Sequence, residues 1–232
     1  MKILGIISEY NPFHNGHKYH IDKSKELTGA EAVVAVMSGS FVQRGEPAFA
    51  DKWLRAQTAV MSGADLVIEN PFVYACNSAQ VFADGAVNIL DGLGCIDFLS
   101  FGSEAGSVDA LVKFASETDE FKDRLHSALE QGMTYPKAVS FAYGDDDGVM
   151  TGPNNILGIE YIKVLNRIKS GIEPVTVKRS DRGYHSYETE GIFASASKIR
   201  SIAAKGEDFS EFVPYSYKGY IGGLDYFSVM SH

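Results

Sequence analysis

The chain has 232 residues, 45% of them hydrophobic, with 21 Lys and Arg against 30 Asp and Glu and a formal net charge of −9. That length and composition fit one large or two small globular domains with a real core, and the acidic balance argues against a surface that coats nucleic acid indiscriminately. Two cysteines, Cys76 and Cys95, exclude a disulfide scaffold or a CxxC metal site, and no apolar run approaches the roughly 20 residues that cross a bilayer.

The N-terminus reads as a strand carrying one lysine rather than as a targeting signal, so a reducing cytoplasm is the expected location, with both cysteines buried as small hydrophobes. In chain order, strand-length apolar runs at Lys2–Ile7, Ala32–Met37, Asp65–Ile68, Ile96–Phe101 and Pro174–Lys178 alternate with helix-length segments. Those helices are expected at His17–Leu27, Lys52–Ser62, Ser78–Leu90, Val108–Ser116, Glu120–Gln131, Tyr135–Ala142, Asn155–Ser170 and Ser197–Ala204. The alternation predicts an α/β fold, a Rossmann-like doubly wound parallel sheet of five strands. Residues 107–150 read as a helical insertion closed by the acidic loop Asp145-Asp146-Asp147-Gly148, a solvated loop rather than a Mg²⁺ site. Residues 1–205 form the expected catalytic domain and 206–232 the start of a further region. In it Phe209, Phe212, Val213, Tyr217 and Tyr220 need something to bury against.

The first strand runs directly into Ile7-Ser8-Glu9-Tyr10-Asn11-Pro12-Phe13-His14-Asn15-Gly16-His17-Lys18-Tyr19-His20. A strand, a sharp loop and a helix start form an anion site: free N–H groups and the helix dipole face negative charge, and Gly16 permits close backbone approach. His14 and His17 are hydrogen-bond donors for phosphate oxygens and, when protonated, offset charge there. Two plainer readings stand beside this one: loop and cap residues without chemistry, or a metal site with His20. The i, i+3, i+6 spacing fans three rings around a helix rather than converging them.

Ser195-Ala196-Ser197-Lys198-Ile199-Arg200 reads either as an ordinary helix N-cap or as a second anion site, where a serine cap opens a helix whose first turns carry a point charge and a planar fork. Ser38, Gly39, Gln43, Arg44 and Glu46 follow the second strand and suit a small acceptor, a base or acetate, the plainer reading being a left-handed turn with exposed charges. Gly102 ends the fourth strand, and Asn154 is either a plain N-cap or a polar reader of a ribose or base. A local basic patch of Lys178, Arg179, Arg182, Lys198 and Arg200 with Lys52 and Arg55 is the candidate for RNA or phosphate.

Taken together, residues 5–17, 36–48, 101–104, 153–158 and 194–200 resemble, in order, the motifs of the bacterial tRNA(Met) cytidine acetate ligases, members of the HxGH nucleotidyltransferase superfamily. The resemblance implies a reaction: acetate attacks the α-phosphate of ATP, pyrophosphate leaves, and N4 of the wobble cytidine of elongator tRNA(Met) takes the acetyl group. It also implies ATP contacts across residues 7–20 and at Gly102, Asn154 and Arg179, with His14, His17, Lys198 and Arg200 catalytic around Mg²⁺. Family members are typically much longer, so this sequence reads as a truncated or short member with tRNA binding in doubt. Two alternatives remain open: a nucleotidyltransferase for a small phosphorylated acceptor, and a non-catalytic ATP-binding protein.

Overall fold

The structure, a computed structural model, describes residues 1–116, 118–145, 148–179 and 191–214. Within them β1 (Ile3–Ser8), α1 (Asn15–Thr28), β2 (Ala32–Ser38), α2 (Lys52–Met61), β3 (Leu66–Asn70), α3 (Phe72–Ala75), α4 (Ala79–Gly92) and β4 (Phe98–Ser103) come first. They are followed by α5 (Val108–Val112), a 3₁₀ turn (Lys113–Ala115), α6 (Asp119–Glu130), α7 (Tyr135–Tyr143), a 3₁₀ turn (Val149–Thr151), α8 (Pro153–Ile168), β5 (Glu173–Lys178) and α9 (Ala196–Ala204). The strands form one sheet in the order β3-β2-β1-β4-β5, and every neighbouring pair is parallel. This is the expected five-stranded doubly wound fold.

Because side chains alternate across a strand, each strand feeds two cores. Leu4, Ile6, Val33, Ala35 and Met37 pack with Ile21 of α1 and Ala59 of α2 on one face. Ile7, Val34, Val36, Leu99 and Phe101 pack with Phe82, Ala86 and Leu90 of α4 and Ile159 and Ile162 of α8 on the other. Burial on both faces explains why the strands read as continuous apolar runs rather than as alternating ones. A third, smaller core holds Phe209, Phe212 and Val213 against Phe49, Ala50, Leu54 and Ile199. Those three thus find the cover the sequence demands; Tyr217 and Tyr220 lie outside the described residues.

Several boundaries differ from expectation for local reasons. The first helix begins two residues early, at Asn15, because His14 is its N-cap. Asn154 is not a cap: α8 opens at Pro153 after Gly152, and the carboxylate of Glu104 accepts from the N–H groups of Asn154 and Asn155. Asp145 caps the following 3₁₀ turn by accepting from Val149 and Met150, whereas Asp146 and Asp147 lie outside the described residues. Cys95 is exposed and Cys76 only partly buried, with its Sγ donating to the Val42 carbonyl at 3.3 Å. Arg55 is not part of a basic surface at all; it is fully buried. Arg182 lies outside the described residues. Among the described residues no helix is long and apolar enough to cross a membrane.

Candidate functional site

The loop after β1 is built around two histidines that cap their own helix. The Gly16 N–H donates to His14 Nδ1 at 3.0 Å, and the His14 N–H donates to His17 Nδ1 at 3.2 Å. Histidine seldom caps helices, which is why the sequence pattern places the start too late. The rings stack with centroids 3.8 Å apart, against Tyr10 and Phe13. Since each Nδ1 accepts, each neutral ring carries its proton on Nε2. The donors this helix end offers a ligand are therefore two imidazole N–H groups, not a row of free backbone amides.

Burial dominates the titration of these rings. It holds His14, only 4% exposed, down to about 3, with the Arg179 charge adding to the effect. Burial, then His14 and Arg179, lowers His17 well below the ordinary histidine value, and burial followed by Arg179 holds His20 at about 4. Burial thus favours the neutral rings, in keeping with hydrogen-bond donation through Nε2–H rather than with offset by a protonated pair.

Opposite them, Gly102 leaves room for a cation. A Cβ there would stand 2.6 Å from Arg179 Cδ, so the Arg179 side chain lies across the glycine. Arg179 Nη1 donates to Asn154 Oδ1 at 3.1 Å, and Asn154 Nδ2 donates to Glu104 Oε1 at 2.6 Å. Burial opposes the charge on Glu104, but hydrogen bonds from Asn154 and Asn155 outweigh it and hold the carboxyl below its usual range. Asn154 therefore works first as the bracket that fixes Arg179.

The second motif reaches the first through Arg200, whose Nη1 donates to the Asn11 carbonyl at 2.6 Å. Asn15 Nδ2 donates to the carbonyls of Ile192 and Glu211, both at 2.9 Å, which stitches the same loop to the end of the described chain. Lys198 does not join Arg200. Residues two apart on a helix point to opposite sides, and Lys198 Nζ lies 5.7 Å from the Phe212 ring.

Beneath the floor, Arg55 ties the loop after β1 to both ends of the connection between β2 and α2. It donates to the carbonyls of Ala50 (2.9 Å), Glu9 (2.7 Å), Ser38 (3.0 Å) and Gly39. Its partner in the expected patch, Lys52, pairs with Glu69 at 2.6 Å. The Glu9 carboxylate accepts from the Gln43 N–H at 2.8 Å, holding the loop after β2 over the site.

These elements enclose a cleft of about 590 Å³ at the carboxyl ends of the strands, where open parallel sheets bind ligands. Ile7, Ser8, Glu9, Tyr10, Asn11, His14, His17, His20, Gln43, Arg44, Glu46, Gly102, Asn154, Arg179 and Arg200 line it. Other expected residues do not: Pro12, Phe13 and Gly16 are buried in the loop, Asn15 faces the chain end, Lys18 pairs with Asp22, and Tyr19 packs on Phe193. Ser38 is fully buried, and Gly39 lies beneath Glu69. The sequence reading missed the apolar wall of Phe82, Phe101, Leu157 and Tyr161, whose core-like spacing conceals that their ends meet the cleft. Among the described residues no three His, Cys, Asp or Glu side chains group closely enough to hold a metal. Its lining combines neutral and charged donors with flat apolar side chains, a combination that suits a nucleotide.

Comparison with known proteins agrees with this geometry. The chain is 52% identical over 207 residues to the tRNA(Met) cytidine acetate ligase of Caldicellulosiruptor saccharolyticus, covering 86% of this chain and 52% of the relative. It is 51% identical over 217 residues to the ligase of the same name from Caldanaerobacter subterraneus subsp. tengcongensis, covering 89% and 54%. The chain spans about half the length of these curated relatives. The crystal structure of Thermotoga maritima TmcAL bound with alpha-thio ATP superimposes with a TM-score of 0.83 at 36% identity, over all of this chain and 56% of that one. Residues 1–221 match the family described as HIGH Nucleotidyl Transferase, and this chain, with His14-Asn15-Gly16-His17 as its signature, belongs to that family.

Proposed function

We propose that this chain is the ATP-using catalytic half of a tRNA(Met) cytidine acetate ligase, working in the cytoplasm, with residues 1–205 as its catalytic domain. The observation that carries the reading is that His14, His17, Arg179 and Arg200 line one nucleotide-sized cleft. An acetate oxygen attacks the α-phosphorus of ATP; the new P–O bond forms as the bond to pyrophosphate breaks. His14 and His17 donate to the phosphate oxygens on which charge accumulates, and Arg179, fixed by Asn154, sits beside them. Arg200 couples the second motif to the first. Lys198, whose Nζ lies over the Phe212 ring, is not among the residues lining the cleft. The acceptor amine of the tRNA wobble cytidine then attacks the acetyl carbonyl, the C–N bond forms, AMP leaves and the amine loses its proton.

Mg²⁺ belongs to this reading as an ion brought with the nucleotide. The cleft's available carboxylates, Glu9 and Glu46, are hard oxygen ligands of the kind that hold this ion beside phosphates, where it would neutralise charge on the leaving group. Gln43, Arg44 and Glu46 are placed to meet acetate or the acceptor. Isotope exchange of pyrophosphate into ATP tests the reading: the purified chain is expected to exchange only when acetate is present. Exchange that depends instead on a phosphorylated small molecule would favour transfer to that acceptor, and ATP binding without any exchange would leave a nucleotide-binding protein.

A further inference from the structure

His20 also lines the cleft, one helical turn beyond His17, but its ring is wired in the opposite sense to its neighbours. Its Nε2 is 3.0 Å from Ser100 Oγ, Ser100 Oγ is 2.7 Å from Ser24 Oγ, and Ser24 Oγ is 2.6 Å from the His20 carbonyl oxygen. The direction of this chain is settled by counting protons. A carbonyl oxygen can only accept, so Ser24 gives its single hydroxyl proton there. Ser100 must then donate to Ser24, which uses the only proton Ser100 has. The contact with His20 is therefore a donation from the ring, Nε2–H to Ser100. Both serines are fully buried, so no water competes for these positions. A neutral imidazole carries one N–H, which leaves His20 Nδ1 bare and without a partner among the described residues. Burial keeps the ring neutral, as for its neighbours.

His14 and His17 thus present donors to the cleft, whereas His20 presents an acceptor. Phosphate oxygens at neutral pH only accept, so they cannot satisfy a bare imidazole nitrogen. On ATP the donors are the ribose hydroxyls and the adenine amine. Three residues of helix advance about 4.5 Å, a step from phosphate to the adjoining sugar rather than to the far edge of the base. Resting on the ATP reading above, we infer that His20 Nδ1 accepts a hydrogen bond from a ribose hydroxyl of the nucleotide, and that Ser24 and Ser100 are positioning residues that set its tautomer.

The test joins ¹⁵N imidazole spectra of the full chain with calorimetric affinities for ATP, 2′-deoxy-ATP and 3′-deoxy-ATP. His20, assigned by its loss in His20→Phe, is expected as the Nε2–H tautomer, and one deoxy analogue is expected to bind about tenfold more weakly than ATP, the factor that one such bond supplies. Ser24→Ala frees the Ser100 proton for Nε2; the tautomer should reverse and the deoxy penalty shrink to within about twofold. Ser100→Ala should also abolish the penalty by releasing the ring. An Nδ1–H tautomer in the wild-type chain, equal affinity for all three nucleotides, or an unchanged penalty in both serine variants overturns the inference. Failure of the wild-type chain to bind ATP overturns the ATP reading and this inference with it, whereas ATP binding without hydroxyl discrimination overturns this inference alone.

Discussion

At the scale of single residues, His14 and His17 do two jobs with two nitrogens. Nδ1 closes the helix end, and Nε2 carries the proton of a ring that lines the cleft. The jobs separate by substitution. His17→Ala removes both and is expected to lose about 1 kcal/mol of stability through the cap, a fall of about 2–4 °C in Tm, together with pyrophosphate exchange. His17→Gln keeps an acceptor that reaches back to the His14 N–H, as glutamine does at this position of a capping box. Its melting temperature should match the wild type while exchange is lost. Exchange retained in His17→Gln would exclude a phosphate role for the ring. The pair stands out in the sequence because two histidines flank a glycine directly after a first strand, the end at which parallel sheets hold their ligands. The capping does not stand out, since cap preferences point to Ser, Thr, Asp and Asn. Nor do the neutral rings, since burial of a loop histidine follows from tertiary packing alone.

At the scale of elements, the five strands are legible to within two residues because sheets covered on both faces need unbroken apolar runs. The short helix Phe72–Ala75 is illegible because four residues carry no periodicity. The burial of Arg55 is hidden for the opposite reason: a charged residue signals exposure unless its partners are known. Here the partners are carbonyls at the ends of β1 and β2, and α2 turns Arg55 toward them once Asp51 has capped its start. Arg55→Met should cost on the order of 3 kcal/mol, because a similar stem remains while buried carbonyls lose their donors. Arg55→Lys should recover only part of this, since one ammonium cannot span the same fork. Urea unfolding measures both; a loss under about 1 kcal/mol in Arg55→Met would show that the loops hold without it. Gly102 is legible as a strand-end glycine, but the reason for its smallness, the Arg179 side chain lying over it, requires β5 to be placed beside β4.

At the scale of the whole molecule, the three cleft histidines make stability depend on pH. Each ring stays neutral in the fold well below the pH at which it protonates in the unfolded chain, near 6.5. The unfolded state therefore binds more protons as pH falls. The full contribution is present above about pH 6.5 and is lost progressively between 6.5 and the folded values of about 4 and 3 for His20 and His14. Unfolding free energy from urea titration should fall by on the order of 3 kcal/mol between about pH 7.5 and 5.5, about 1 kcal/mol for each ring. Equal stability at the two values would mean that the rings take up protons without unfolding. The stitches from Asn15 to the Ile192 and Glu211 carbonyls join positions 177 and 196 residues apart. During synthesis the ribosome releases the N-terminal signature first, but its anchor emerges only after nearly all the described chain has been made. Closure over such separations is slow relative to local pairing. The five strands, which end at Lys178, can therefore leave the ribosome before the anchors at Ile192 and Glu211 do, so closure of the signature loop is expected to be a late step of folding on the nascent chain.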